Sequence, residues 1–134
     1  MAKQFTLGKN ERLKSRKSIE QLFDEGKKFT IQPYLVYYIF KQITLPQSAF
    51  AVQFGVGVGT KNFKKAVDRN RIKRVTKEAY RLQKIPLQEK LKTKNIQLNL
   101  FFIYTAKDLP EYNEVYKKVE IILKKIETII DNIK

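Results

Sequence analysis

The chain has no cysteine, no histidine and no tryptophan, and a single methionine. Without cysteine there is no disulfide, no thiol nucleophile and no thiolate metal site. Without histidine the commonest general base and the commonest zinc ligand are gone. Acids are also scarce, 13 against 28 lysines and arginines in 134 residues. They are scattered, and no pair has the spacing of a catalytic dyad, so an autonomous hydrolase is not expected. No apolar run reaches the roughly 18 residues that would suggest a membrane span. The opening stretch MAKQFTLGKNERLK lacks a signal-peptide hydrophobic region. A single domain over 1–134, acting in the cytoplasm with no membrane partner, is the expectation, with residues 1–14 as a basic arm.

What is present is positive charge, unevenly spread. The net charge is +15, and residues 61–84 (KNFKKAVDRNRIKRVTKEAYRLQK) supply ten basic side chains against Asp68 and Glu78. Ile72, Val75, Ala79 and Leu82 recur on one face of a helix. Arg69, Asn70, Lys73, Arg74, Lys77 and Arg81 fall on the other. A merely solvated face would mix signs to near neutrality, and like charges at i,i+4 (Lys73, Lys77, Arg81) weaken a helix slightly. A fixed cationic array of this kind matches a polyphosphate backbone. Residues 1–28 hold eight basic and four acidic side chains, whereas 111–134 hold five of each. The RNA-facing side is therefore expected from the N-terminal third and the central helix, not from the last helix.

Periodicity supplies the other elements. A short helix is predicted over about 16–25, with Ser15 as N-cap and Gly26 just past its end. Tyr34–Phe40 reads as a strand with apolar residues on both faces, hence covered on both sides. Leu45–Ser48 reads as a hairpin loop. Phe50–Gly59 alternates: Phe50, Val52, Phe54, Val56 and Val58 face a core, while Ala51, Gln53, Gly55, Gly57 and Gly59 leave the other face nearly bare. An irregular turn over 60–66 leads into the central helix, which Pro86 ends. Lys90–Asn95 reads as a polar loop and Ile96–Tyr104 as a strand. A final helix over 111–132 has a broad stripe including Val115, Val119, Ile122, Ile126 and Ile129, wide enough to pack on a sheet rather than in a coiled-coil dimer. The order α-β-β-α-β-α predicts an α+β domain, a small sheet packed by helices.

The glycines at 55, 57 and 59 alternate within a strand and lack the order of a phosphate loop, so they do not predict a nucleotide site. Phe23, Tyr34, Tyr37 and Tyr38 could each stack on bases or simply fill a core.

The run Ala66-Val67-Asp68-Arg69-Asn70-Arg71-Ile72-Lys73-Arg74 closely resembles the A-V-x-R-N-R-x-K-R signature of the bacterial ribonuclease P protein subunit. Arg12-Leu13-Lys14, Leu35-Val36-Tyr37 and Gly55-Val56-Gly57-Val58 are similar to the same family, so the resemblance spans most of the chain. It implies the fold of the second domain of ribosomal protein S5, with a left-handed β-α-β crossover. It implies two partners, a catalytic RNA that performs Mg²⁺-dependent hydrolysis and the precursor tRNA whose 5′ leader is removed. The protein would be a non-catalytic subunit, a monomer in a one-to-one complex with the RNA. Arg69, Asn70, Lys73 and Arg74 are the matched RNA contacts, extended by Arg71, Lys77, Arg81, Lys61 and Lys65. Phe23 and Tyr37 match a leader-binding cleft, with Arg12 and Lys14 beside it. Ile19 stands where many relatives have an aromatic, and Lys77 where an arginine is common, keeping charge but losing a bidentate fork. A basic ribosomal-type RNA-binding protein without a nuclease role is the alternative.

Overall fold

A computed structural model describes residues 12–13, 15–42 and 52–133. The basic arm before Arg12, Lys14, Phe50 and the loop expected at Leu45–Ser48 lie outside the described residues. Helix α1 spans Arg16–Glu25; strands β1 (Lys27–Ile31), β2 (Tyr34–Gln42) and β3 (Val52–Val58) follow. Then come α2 (Ala66–Gln83), α3 (Ile85–Lys94), β4 (Ile96–Tyr104) and α4 (Tyr112–Asp131). The sheet order is β1-β2-β4-β3. β2 is antiparallel to β1 and to β4, and β3 runs parallel to β4. The β3–α2–α3–β4 connection is thus the β-α-β crossover of an α+β fold.

Strand alternation sorts the side chains. Val52, Phe54 and Val56 join Tyr34, Val36, Tyr38, Leu98, Leu100 and Phe102 in one buried cluster. Helices α2, α3 and α4 cover this face through Ile72, Ala79, Tyr80, Leu87, Leu91, Val119, Ile122 and Ile126. Phe54 and Tyr80 stack in parallel, with centroids 3.9 Å apart. The broad stripe of α4 is buried within this chain, as expected of a helix packed in the core. Helix α1 lies on the opposite sheet face. Ser15 caps it, its hydroxyl accepting from the Ser18 amide at 3.3 Å.

Gly26 closes α1 where expected, in an extended conformation (φ −72°). Its need for glycine is steric: an added Cβ would lie 2.4 Å from the Leu22 carbonyl oxygen and 3.1 Å from that of Tyr38. Strand β1 is not legible in the sequence, because KKFTI is short and half charged; its pairing with β2 decides it. The polar loop expected at Lys90–Asn95 is mostly helix, since Leu87 and Leu91, one turn apart, are buried. Pro86 therefore ends α2 and also starts α3, where its missing N–H costs nothing. The buried stripe of α2 is Ile72, Thr76, Ala79 and Tyr80, with Val75 half-buried and Leu82 39% exposed. Cover on both sides of β2 is incomplete: Leu35, Tyr37 and Ile39 are only half-buried.

Candidate RNA interface

Helix α2 turns its basic side chains outward because Ile72, Thr76, Ala79 and Tyr80 are committed to the core. The polar member of that stripe is satisfied: the Thr76 hydroxyl donates to the Ile72 carbonyl at 2.8 Å and lies 2.7 Å from the Tyr34 hydroxyl. On the outer side Asn70, Lys73, Arg74, Lys77, Glu78 and Arg81 line an open groove of about 570 Å³, and Arg12 joins them. Arg12 is delivered by a backbone bridge beside Phe54 of β3, where the Leu13 amide donates to the Phe54 carbonyl at 2.9 Å. Arg12, expected beside the leader-binding aromatics, places its side chain on the lining of the α2 groove. Glu78 is the acid of the groove. It takes a hydrogen bond from Arg81 Nε at 3.2 Å, and that pairing raises the Arg81 pKa and holds the guanidinium charged.

Lys61 and Lys65 are exposed at the turn before α2, and Arg71 is exposed on the helix. Arg69 is different. Its Nη1 donates to the carbonyls of Phe63 and Lys64 at 2.9 and 2.8 Å, and it does not line the groove. Arg69, expected among the RNA contacts, thus also engages two backbone carbonyls of its own chain.

The second surface lies on the other sheet face. Phe23, 42% exposed, projects from α1 toward Tyr37, with centroids 4.8 Å apart, and toward Phe101 at 5.5 Å. Register explains the cluster: Lys28, Tyr37, Phe101 and Gly55 lie in one row across β1, β2, β4 and β3. Lys28 Nζ sits 6.0 Å from the centre of the Tyr37 ring. Gly55 is required by the close approach of Phe101, whose ring would lie 2.6 Å from an added Cβ. Leu13 O would lie 3.3 Å from the same atom, so the segment carrying Arg12 borders both surfaces. Of the four aromatics named as stacking candidates, Phe23 and Tyr37 meet in this cluster and Tyr34 and Tyr38 are core.

A family model described as Ribonuclease P matches residues 7–127. The chain belongs to the ribonuclease P protein family. The ribonuclease P protein component of Porphyromonas gingivalis is 35% identical over 116 residues, 87% of this chain and 82% of its own. That of Borrelia hermsii is 32% identical over 118 residues, 88% and 90% of the two chains. Among solved structures, the RNase P protein of Staphylococcus aureus superposes with a TM-score of 0.66 at 18% identity, covering 87% of this chain and 94% of that one. The RNase P protein of Thermotoga maritima gives 0.63 at 23% identity, covering 86% and 96%. At such identities the structural likeness speaks for the fold alone.

Within this ribonuclease P protein, two candidate residues are not evident from sequence. Phe101 is hidden because Gln97 and Asn99 make its strand face look polar; its parity with them, opposite the glycines of β3, is the available signal. Lys64 is exposed between Lys61 and Lys65 and belongs with them. Among the described residues no helix is long and apolar enough to cross a membrane.

Proposed function

We propose that this chain is the protein subunit of ribonuclease P, acting with a catalytic RNA to remove the 5′ leader of precursor tRNA. The observation that carries the reading is the placement of the family signature: Asn70, Lys73 and Arg74 lie in a groove shared with Arg12, Lys77 and Arg81. A folded RNA concentrates phosphates, and a rigid cationic groove displaces condensed counterions from them. The RNA's demand for Mg²⁺ falls accordingly. In this reading the RNA holds the Mg²⁺ and performs the hydrolysis. The Phe23–Tyr37–Phe101 cleft offers ring faces to unpaired leader bases, which stack without strict sequence reading. The protein then contributes positioning and charge, as a monomer bound to one RNA in the bacterial cytoplasm.

Reconstitution tests the reading. At low Mg²⁺ and moderate salt the protein should restore precursor-tRNA cleavage by a bacterial ribonuclease P RNA. No stimulation with RNAs of either architectural type would sink it and favour a ribosomal-type RNA-binding role.

A further inference from the structure

Arg69 opens the Arg-Asn-Arg run of the signature, yet its geometry separates it from the cations that follow. Its Nη1 donates to the Phe63 and Lys64 carbonyls at 2.9 and 2.8 Å. The residue is half-buried, whereas Asn70 and Arg74 are exposed, and it takes no part in lining the groove. The turn it grips is anchored at two other points. Asn62 Nδ2 donates to the Thr105 carbonyl at 3.3 Å. The Phe63 ring is buried 6.0 Å from that of Tyr104. Between and beside these anchors Lys61, Lys64 and Lys65 stand exposed. Lys65 is also the N-cap of α2 and makes no side-chain capping bond, so the turn has no other clasp from a cap residue.

We infer that Arg69 is a positioning residue: it fastens the carbonyls of residues 63 and 64 to the first turn of α2 and so holds Lys61, Lys64 and Lys65 as a fixed array for the RNA backbone. The inference rests on the proposed function, because RNA binding is what the array serves. Two physical effects support it. Carbonyl oxygens at this turn would present negative dipole ends to an approaching phosphate, and the guanidinium covers them. A turn already ordered also spares the complex the entropy of fixing backbone and three long side chains on binding. Charge-assisted hydrogen bonds of this type are stronger than neutral ones.

Two measurements test it. In the free protein, the rate of tryptic cleavage after Lys61, Lys64 and Lys65 reports the open population of the turn. Arg69→Ala should raise that rate about tenfold, the equivalent of one charge-assisted hydrogen bond, and Asn70→Ala should leave it unchanged. The second is affinity for a bacterial ribonuclease P RNA at fixed salt, in two mutant cycles. Arg69→Ala alone should weaken binding about tenfold, on the same hydrogen-bond scale. On a background of Lys61→Ala, Lys64→Ala and Lys65→Ala it should add less than about twofold, because its effect runs through those lysines. On a background of Lys73→Ala and Arg74→Ala it should keep its full factor. Unchanged cleavage, or a full factor in both backgrounds, overturns the inference; the second outcome is also what a direct phosphate contact or a general loss of stability would give. If the wild-type protein binds no such RNA, the proposed function fails, and the cleavage rates still decide whether Arg69 holds the turn.

Discussion

Along β2 the parity of a residue decides where it points: Tyr34, Val36 and Tyr38 enter the core, while Tyr37 meets Phe23 on the other face of the sheet. Because the Thr76 hydroxyl spends its one proton on the Ile72 carbonyl, the Tyr34 hydroxyl is the donor of the pair. Burial pushes the Tyr34 pKa up from 10.0 to about 12. A tyrosine is neutral when protonated, so the folded state holds this proton more tightly than the unfolded one. The stability it contributes is complete below pH 10 and is lost as pH rises from 10 toward about 12. Tyr34→Phe should cost about 0.5–1.5 kcal/mol at neutral pH, the net worth of one hydrogen bond. Urea unfolding at stepped pH should show that difference shrinking above pH 10 and then reversing. Gly55 offers a test of the cleft that removes no aromatic. Gly55→Ala must push the Phe101 ring away from its place beside Phe23. It should weaken precursor-tRNA binding to the holoenzyme by up to about 1–3 kcal/mol, the worth of a base stack. Mature tRNA, which has no leader, should bind nearly as before. Equal loss for both tRNAs, with earlier melting, would assign these rings to packing alone.

At the scale of elements, α2 carries two opposed stripes that mutation should separate. Arg74→Ala should lower affinity for the catalytic RNA and reduce the log–log salt slope by about one if it makes one phosphate contact. The melting temperature should hardly move, because Arg74 is exposed. Ile72→Ala should do the reverse, costing about 2–5 kcal/mol in the core, while Val75→Ala should cost less because Val75 is only half-buried. Salt titrations and thermal melts on the same variants check both. The period of α2 is legible in the sequence, but the phase read from it differs by about one position from that of the buried stripe. Thr76 and Tyr80 carry polar atoms and so look like surface residues, and their burial depends on a Tyr34 partner and a Phe54 stack that no local pattern shows. Helix α3 is hidden for a related reason: Leu87 and Leu91 sit among lysines, and the helix is defined by packing against β4 and α4.

For the whole molecule, a net charge of +15 means repulsion in the compact state. Anions that bind the folded groove and not the unfolded chain should stabilise the protein by mass action. The melting temperature should rise with millimolar sulfate more than with chloride at matched ionic strength, since screening alone depends on ionic strength and not on the anion's identity. Equal shifts in differential scanning fluorimetry would leave screening as the whole effect.

Charge, alternation and helical period are local properties. The basic helix, the cored strand of alternating valines, the terminal helix and the family therefore follow from the order of residues alone. The resemblance also pairs Phe23 with Tyr37, and the two rings do meet in the folded chain. Which surface a side chain shares with distant residues depends instead on register and crossover, and these exist only in the folded chain. The row Lys28–Tyr37–Phe101–Gly55 forms because four strands pair in one register. Arg12 enters the α2 groove because the N-terminal segment bridges β3 at Phe54. Arg69 turns back from the charge array because the carbonyls of residues 63 and 64 lie within its reach once Phe63 is buried.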